Sequence, residues 1–328
     1  MPSDETASPP SAPGAEGVLL GLACGDALGQ PVEGWSADRI AAEYGTLDTL
    51  VGGTRGLGAG AWTDDTEQAV RLSRSLVERG RFDPDDVADR FLAWYRGGAT
   101  GIGGLTRAVL RRMDAGEHWS AASRREWERR PEGTNAGNGS VMRCAPVAIA
   151  FADADAPVLA AASRASSRLT HHDPRCVYGC ELLNQVVAGF LRDGDADSGG
   201  DEPFDVLDGA LATLPDDAPD ELGAALTGLD GRDPNEIRPT GYVLDTLKAG
   251  LYHGLGAPTL EQAIVDAVNM GGDTDTIGAV AGAVAGARFS ASQVPDRWLE
   301  ELHGTDELRG LARRLDARSY QFDRNAEG

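Results

Sequence analysis

The 328-residue sequence contains a single lysine, Lys248, only four cysteines, and 6% aromatic residues. No window approaches the 18 or more apolar residues that a membrane span needs, and the N-terminus lacks a basic stretch followed by an apolar core. Neither an anchor nor a signal peptide is expected, and a cytoplasmic location follows. Cys24, Cys144, Cys176 and Cys180 are too few and too scattered for a disulfide framework in a chain this long. Cys176 and Cys180 stand at i, i+4 on one helical face. No second Cys or His pair stands at metal spacing, so all four read as buried thiols rather than zinc ligands. Positive charge is scarce as well, with 30 basic residues against 52 acidic ones and a formal net charge of -22. A field of that sign repels polyanions, so duplex nucleic acid is not an expected partner.

Among the charged residues, Asp (33) exceeds Glu (19) and the other 29 basic residues are all Arg. This is the composition of a halophile's protein, whose carboxylate surface stays hydrated where salt screens charge over about 3 Å. A GC-rich genome, favouring Arg, Asp, Ala and Gly codons, is the alternative reading. Either way the charge speaks to solvent rather than to activity.

Residues 1–15 are rich in Pro, Ser and Ala and can bury almost nothing, so a disordered tail is expected there, followed by one domain over 16–320. Beyond the tail the apolar spacing is helical nearly everywhere, and no alternating runs are joined by a hairpin turn. Segment 17–29 is apolar on most sides, as in a helix buried within a bundle. Further helices are expected near 36–44 with Ser36 as cap, 64–79, 84–96 opened by Asp83 and Pro84, 104–115, 120–129, 140–151, 156–168 and 174–192. Others follow near 204–213, 219–228, 240–253, 259–270, 275–289 and 304–318. Stretches 193–203 and 229–239 read as acidic loops. The pattern predicts an all-α class and one compact domain; it leaves the oligomeric state open, with a monomer favoured.

Two turns carry most of the chemistry. Trp62-Thr63-Asp64-Asp65-Thr66 precedes one amphipathic run, and Gly271-Gly272-Asp273-Thr274-Asp275-Thr276 precedes another. Helix capping accounts for one carboxylate at each turn. Each turn supplies two carboxylates and two hydroxyls, more acceptors than the amides of one helix end can use. If the turns meet, four carboxylates crowd together and must take up protons or a cation. Hard oxygen donors without His or Cys suit magnesium, manganese or calcium, and the set can fill the shells of two ions about 3.5–4 Å apart. Gly271 and Gly272 would permit close backbone approach.

Two further turns suit anions. Asn135 to Ser140 leads toward Val141-Met142-Arg143, and the glycine-rich stretch 97–104 opens another helix; exposed amides at such starts can cradle a phosphate. His171, after Thr170, is explained locally by pairing with a helix end, and Glu33 by an ordinary surface loop.

The ordered segments GDALGQPVEGW, WTDDT, GNGSVMR, THHD and GGDTDTIGA resemble the ADP-ribosylglycohydrolase family, from about Gly17 to Arg288. The resemblance implies a single compact orthogonal multi-helix bundle of that type and a two-metal centre of Mg2+ or Mn2+. It also implies hydrolysis of the bond joining ADP-ribose to a protein side chain or small acceptor, so an ADP-ribosylated protein or small conjugate is the partner. Matched by position, Thr63, Asp64, Asp65, Asp273, Asp275 and Thr276 would be the metal ligands. Glu33 would sit on a mobile loop near the scissile ribose and, with Asp64 and Asp65, serve catalysis. Gly101, Gly103, Asn138, Gly139, Ser140, Met142 and His171 would contact the diphosphate and nucleotide. The cleavage would pass through a cation-like sugar that nearby negative charge stabilises. A catalytically silent ADP-ribose reader and a two-metal nucleotide diphosphohydrolase are the alternatives. The second fits less well because its acids usually sit along helices at i, i+3 or i, i+4, not at turns.

Overall fold

A computed structural model describes residues 12–53, 56–193 and 202–322. The helices in chain order are α1 Pro13–Gly29, α2 Ala37–Tyr44, α3 Asp64–Arg79, α4 Pro84–Arg96, α5 Gly104–Asp114, α6 Trp119–Arg129, α7 Ala145–Ala150 and α8 Ala156–Arg168. They continue as α9 Pro174–Asp193, α10 Pro203–Ala212, α11 Asp220–Leu226, α12 Val243–Gly256, α13 Leu260–Asn269, α14 Thr274–Phe289, α15 Asp296–Glu301 and α16 Thr305–Asp316.

The sequence signals account for several of these starts. Ser36 caps α2 by accepting from the Arg39 amide, and Asp83 caps α4 from the Asp86 amide with Pro84 in the first turn. The all-α class holds, and four details differ from expectation. Helix α1 begins at Pro13, with Ala12 and Ala15 buried, so the packed body starts before the expected end of the tail at residue 15; residues 1–11 lie outside the described residues. The expected 140–151 helix is a 3-10 turn at Val141–Arg143 followed by α7, where Pro146 near the helix start lacks the amide needed to continue the first turn. Helix α15 was not anticipated. Two parallel two-residue strands, β1 Arg81–Phe82 and β2 Gln321–Phe322, pair after Gly80 turns the chain out of α3 in a left-handed conformation. The 193–203 loop falls largely outside the described residues, and 229–239 contains two short 3-10 turns.

The core is organised by α1 and α14, which run antiparallel with their backbones in contact. A Cβ at Gly17 would lie 2.2 Å from the Gly286 carbonyl oxygen, at Gly21 2.1 Å from that of Gly282, and at Gly25 2.0 Å from that of Gly278. At the end of this row a Cβ at Gly29 would lie 2.3 Å from the Thr274 carbonyl oxygen, and the Thr274 hydroxyl donates to the Gly29 carbonyl at 2.8 Å. Only glycine permits such an approach. Seven helical glycines cost about 7 kcal/mol in helix propensity relative to alanine, so close packing between the two helices must offset it. The row aligns the C-terminal end of α1 with the N-terminal end of α14, which carries one of the two acid turns. All four cysteines are buried and unpaired by disulfide, as expected.

Candidate active site

The first acid turn is shaped by a residue outside it. Thr63 is the N-cap of α3, yet its hydroxyl caps nothing on its own helix. The cap comes from Asp26 of α1, whose carboxylate accepts from the Thr63 amide at 2.9 and 3.0 Å and from the Thr66 amide at 3.0 Å. The Thr63 and Thr66 hydroxyls donate to the same carboxylate at 2.8 and 2.6 Å. Asp64 and Asp65 are thereby released from capping. Asp64 accepts from the Gln68 side-chain amide at 3.2 Å, while Asp65 Oδ1 is buried with no hydrogen-bond partner.

The second turn is fastened to the Glu33 segment. Gly34 donates its amide to the Gly272 carbonyl at 2.8 Å, and the Gly272 amide donates to the Trp35 carbonyl at 2.7 Å. Gly272 has φ +73°, and a Cβ there would meet the Pro239 carbonyl oxygen at 1.9 Å, so this crossing requires glycine. The clamp brings one carboxylate oxygen each of Glu33, Asp273 and Asp275 within 4.8 Å of one another. Glu33 is thus held against the second acid turn in this structure.

Both turns open into one cavity of about 270 Å³. Glu33, Asp64, Asp65, Asp273, Asp275 and Thr276 line its floor; Gly101, Gly103, Asn138, Gly139, Met142 and His171 line its walls. Two expected contacts are not brought to it. Thr63 is not in the cavity lining, its hydroxyl donating to Asp26 at 2.8 Å while standing 3.3 Å from Asp65 Oδ2, and the Ser140 hydroxyl is buried, accepting from Ser167 at 3.0 Å. The Asn138 side-chain amide spans the floor, donating to Asp273 at 2.6 Å and to Thr246 at 2.9 Å.

Burial and mutual repulsion dominate the electrostatics. Burial, then the Asp26 charge, raises Asp64 to about 8; Asp65 and Asp275 are pushed well above the ordinary carboxylate range by burial and by neighbouring aspartates. Burial raises Asp26 to about 6 despite its hydrogen bonds, and raises Asp273 too. No lysine or arginine lines this cavity among the described residues. Five crowded carboxylates, an unsatisfied Asp65 oxygen and a donor set made only of oxygens fit hard divalent cations, whose charge would let the acids ionise together.

A buried arginine ties the floor to the wall. Arg143 donates to the Gly139 carbonyl at 2.8 Å, to the Thr170 hydroxyl at 2.8 Å and to the Gln68 side chain that holds Asp64. Thr170 Oγ1 lies 2.8 Å from His171 Nδ1. With Arg143 donating to this hydroxyl, the hydroxyl proton is directed to Nδ1, which leaves the Nε2 hydrogen for the cavity. Burial and the Arg143 and Arg130 charges hold His171 well below the usual histidine range, so it is a neutral donor. Asp26, Gln68 and Arg143 were not singled out from sequence. For Asp26 the signal was present: it is the one carboxylate in the 17–29 segment, which is apolar on most sides.

The fold and this cavity define an all-helical protein whose site is floored by oxygen donors suited to hard cations. The ADP-ribosylglycohydrolase family model matches residues 12–324. ADP-ribosylarginine hydrolase Tri1 of Pseudomonas putida (strain GB-1) is 33% identical over 319 residues, covering 94% of this chain and 79% of its own. ADP-ribosyl-[dinitrogen reductase] glycohydrolase of Rhodospirillum rubrum is 32% identical, covering 92% and 94%. Among solved structures, an ADP-ribosylglycohydrolase-related protein complex is similar with a TM-score of 0.75 and 34% identity, over 92% of this chain and 96% of its own. The chain belongs to the ADP-ribosylglycohydrolase family, and its reaction is hydrolysis of the bond between ADP-ribose and an acceptor. No helix among the described residues is long and apolar enough to cross a membrane.

Proposed function

We propose that this chain removes ADP-ribose from modified arginine on a protein, using two divalent cations, Mg2+ or Mn2+. The convergence of Glu33, Asp273 and Asp275 within 4.8 Å, in the cavity that Asp64 and Asp65 also floor, carries the reading of the site. The arginine linkage is supported by the name of the Pseudomonas putida relative.

Thr63, Asp64, Asp65, Asp273, Asp275 and Thr276 would hold the ions, which when bound supply Lewis acidity toward ribose hydroxyls and water. Thr63 would join them through the hydroxyl oxygen that stands 3.3 Å from Asp65. The Gly101–Gly103 and Asn138–Gly139 turns, beside Met142, receive the diphosphate, and the neutral His171 donates from Nε2 without adding a charge that would compete with the floor. Glu33 accepts a proton from the attacking water as the ribose C1 bond to the guanidine nitrogen breaks, and the proton passes on to the leaving guanidine; the carboxylates of Asp64 and Asp65 stabilise positive charge as it develops on the ribose.

The test is release of free ADP-ribose from ADP-ribosyl-arginine and ADP-ribosyl-serine peptides, with Mg2+ or Mn2+ and with EDTA. Cation-dependent release from the arginine peptide is expected, with both Glu33→Gln and Asp275→Asn reduced by about a hundredfold or more. Release from serine alone would overturn the linkage, and full activity in EDTA would overturn the cation site.

A further inference from the structure

A second groove, of about 470 Å³, lies beside the catalytic cavity and shares two of its walls. Gly98 to Thr100 line the groove while Gly101 and Gly103 of the same turn line the cavity. Asp64 and Asp65 open α3 on one side, and Glu67, Arg71 and Arg74 follow along that helix on the other. The charge reverses between the two. The cavity presents five carboxylates and no arginine, whereas Arg71, Arg74 and Arg90 face the groove against the single acid Glu67.

These arginines keep donors to spare. Arg71 donates through Nη1 to the Glu67 carbonyl at 2.7 Å, leaving Nε and Nη2. Arg74 commits Nε and Nη2 to Glu307, and Arg90 commits Nε to Asp86 at 2.6 Å and Nη2 to Glu78 at 2.6 Å, leaving an Nη1 on each. Glu67 accepts from the Trp94 indole and pairs with Arg71 through Nη1 at 3.9 Å, so the donors open to a ligand on Arg71 are Nε and Nη2. The Arg71 guanidinium lies over the Trp94 ring, 5.5 Å from its centroid, which restrains the side chain beside the groove.

We propose that this groove docks an acidic segment of the ADP-ribosylated polypeptide, a few residues from the modified side chain; the proposal rests on the hydrolase reading of the adjacent cavity. Spacing supports it. Arg71 lies seven residues beyond Asp64, about 10 Å along α3, a span that an extended peptide covers in about three residues at 3.3 Å each. On a chain of net charge -22 the surface at large repels a carboxylate-bearing segment, and the spare donors of the three arginines lining the groove mark where such a segment can dock.

The experiment compares three substrates on the full chain: a small ADP-ribosyl conjugate, an ADP-ribosylated peptide with Asp and Glu three to five residues from the modified side chain, and the same peptide with Asn and Gln there. The acidic peptide is expected to have a KM about tenfold lower than the neutral one, with similar kcat. Arg71→Gln and Arg74→Gln should erase that difference while turnover of the small conjugate stays within about twofold of the parent, which also reports intact folding. Equal KM for the two peptides, or a preference that survives both variants, overturns the groove alone. A parent chain inert toward all three conjugates overturns the reading of the cavity, and the groove with it.

Discussion

Asp26 accepts from both the amide and the hydroxyl of Thr66, at 3.0 and 2.6 Å, so the helix bearing the first acid turn is capped by a carboxylate from a different helix. The arrangement couples the stability of α3 to the geometry of Asp64 and Asp65. Asp26→Ala leaves two amides and two hydroxyls without this acceptor and should destabilise the chain by about 3 kcal/mol, read from urea unfolding. Asp26→Asn, which retains one acceptor oxygen, should fold but bind Mn2+ at least about tenfold more weakly. Unchanged Mn2+ affinity in the folded Asn variant would show that the cap does not shape the site.

The glycine row between α1 and α14 predicts a sharp contrast. Gly25→Ala would drive a methyl to 2.0 Å from a backbone oxygen and should cost about 3 kcal/mol or more, or prevent accumulation of folded protein. Gly103→Ala has nothing within 4 Å of the new methyl and should stay within about 0.5 kcal/mol of the parent, so its effect would be confined to ligand affinity. Thermal unfolding of the two variants side by side checks this.

The carboxylate floor sets a pH dependence whose sign is fixed. Asp26 and Asp64 have folded-state values raised to about 6 and about 8, above an unfolded value of about 3.9. Their contribution is therefore fully present below pH 4 and is lost as pH rises through 6 to 8. In EDTA the Tm should fall between pH 5 and pH 8. Added Mg2+ or Mn2+ should restore it, with a larger increment at pH 8. An increment independent of pH would contradict the account of the floor.

Glu33 stands within 4.8 Å of Asp273 and Asp275, close enough to affect a bound cation as well as a proton. Glu33→Gln should therefore lower turnover and, more mildly, Mn2+ affinity, by about threefold to tenfold in a calorimetric titration. Asp275→Asn should lower both steeply. If Glu33→Gln abolished turnover without moving the titration at all, Glu33 would serve the proton alone.

The all-α class and both acid turns were legible because their signals are local: helical apolar spacing, and paired acids at predicted helix starts. What escaped depends on long-range contact. The capping reading assigned Thr63 and its neighbours to their own helix, and only the fold reveals that Asp26 does this work from 37 residues away. Ser140 was expected at the ligand because it continues the small-residue turn, yet the 3-10 turn that follows at Val141–Arg143 directs it toward Ser167. Glycines spaced by four in α1 and α14 were visible in the sequence, but each pattern has meaning only once its partner helix is known.

That pairing has a consequence for the order in which the protein is made. The helix contributing Asp26 begins at Pro13, and the helix contributing Asp275 ends at Phe289. The two surfaces that must meet are separated by most of the polypeptide, a contact of high sequence separation whose loop closure is slow to be repaid. During synthesis the first acid turn emerges long before its counterpart exists, and neither half can assemble the floor alone. A truncated product ending before Gly271 would carry Glu33, Asp64, Asp65 and both anion turns and still lack a complete catalytic centre.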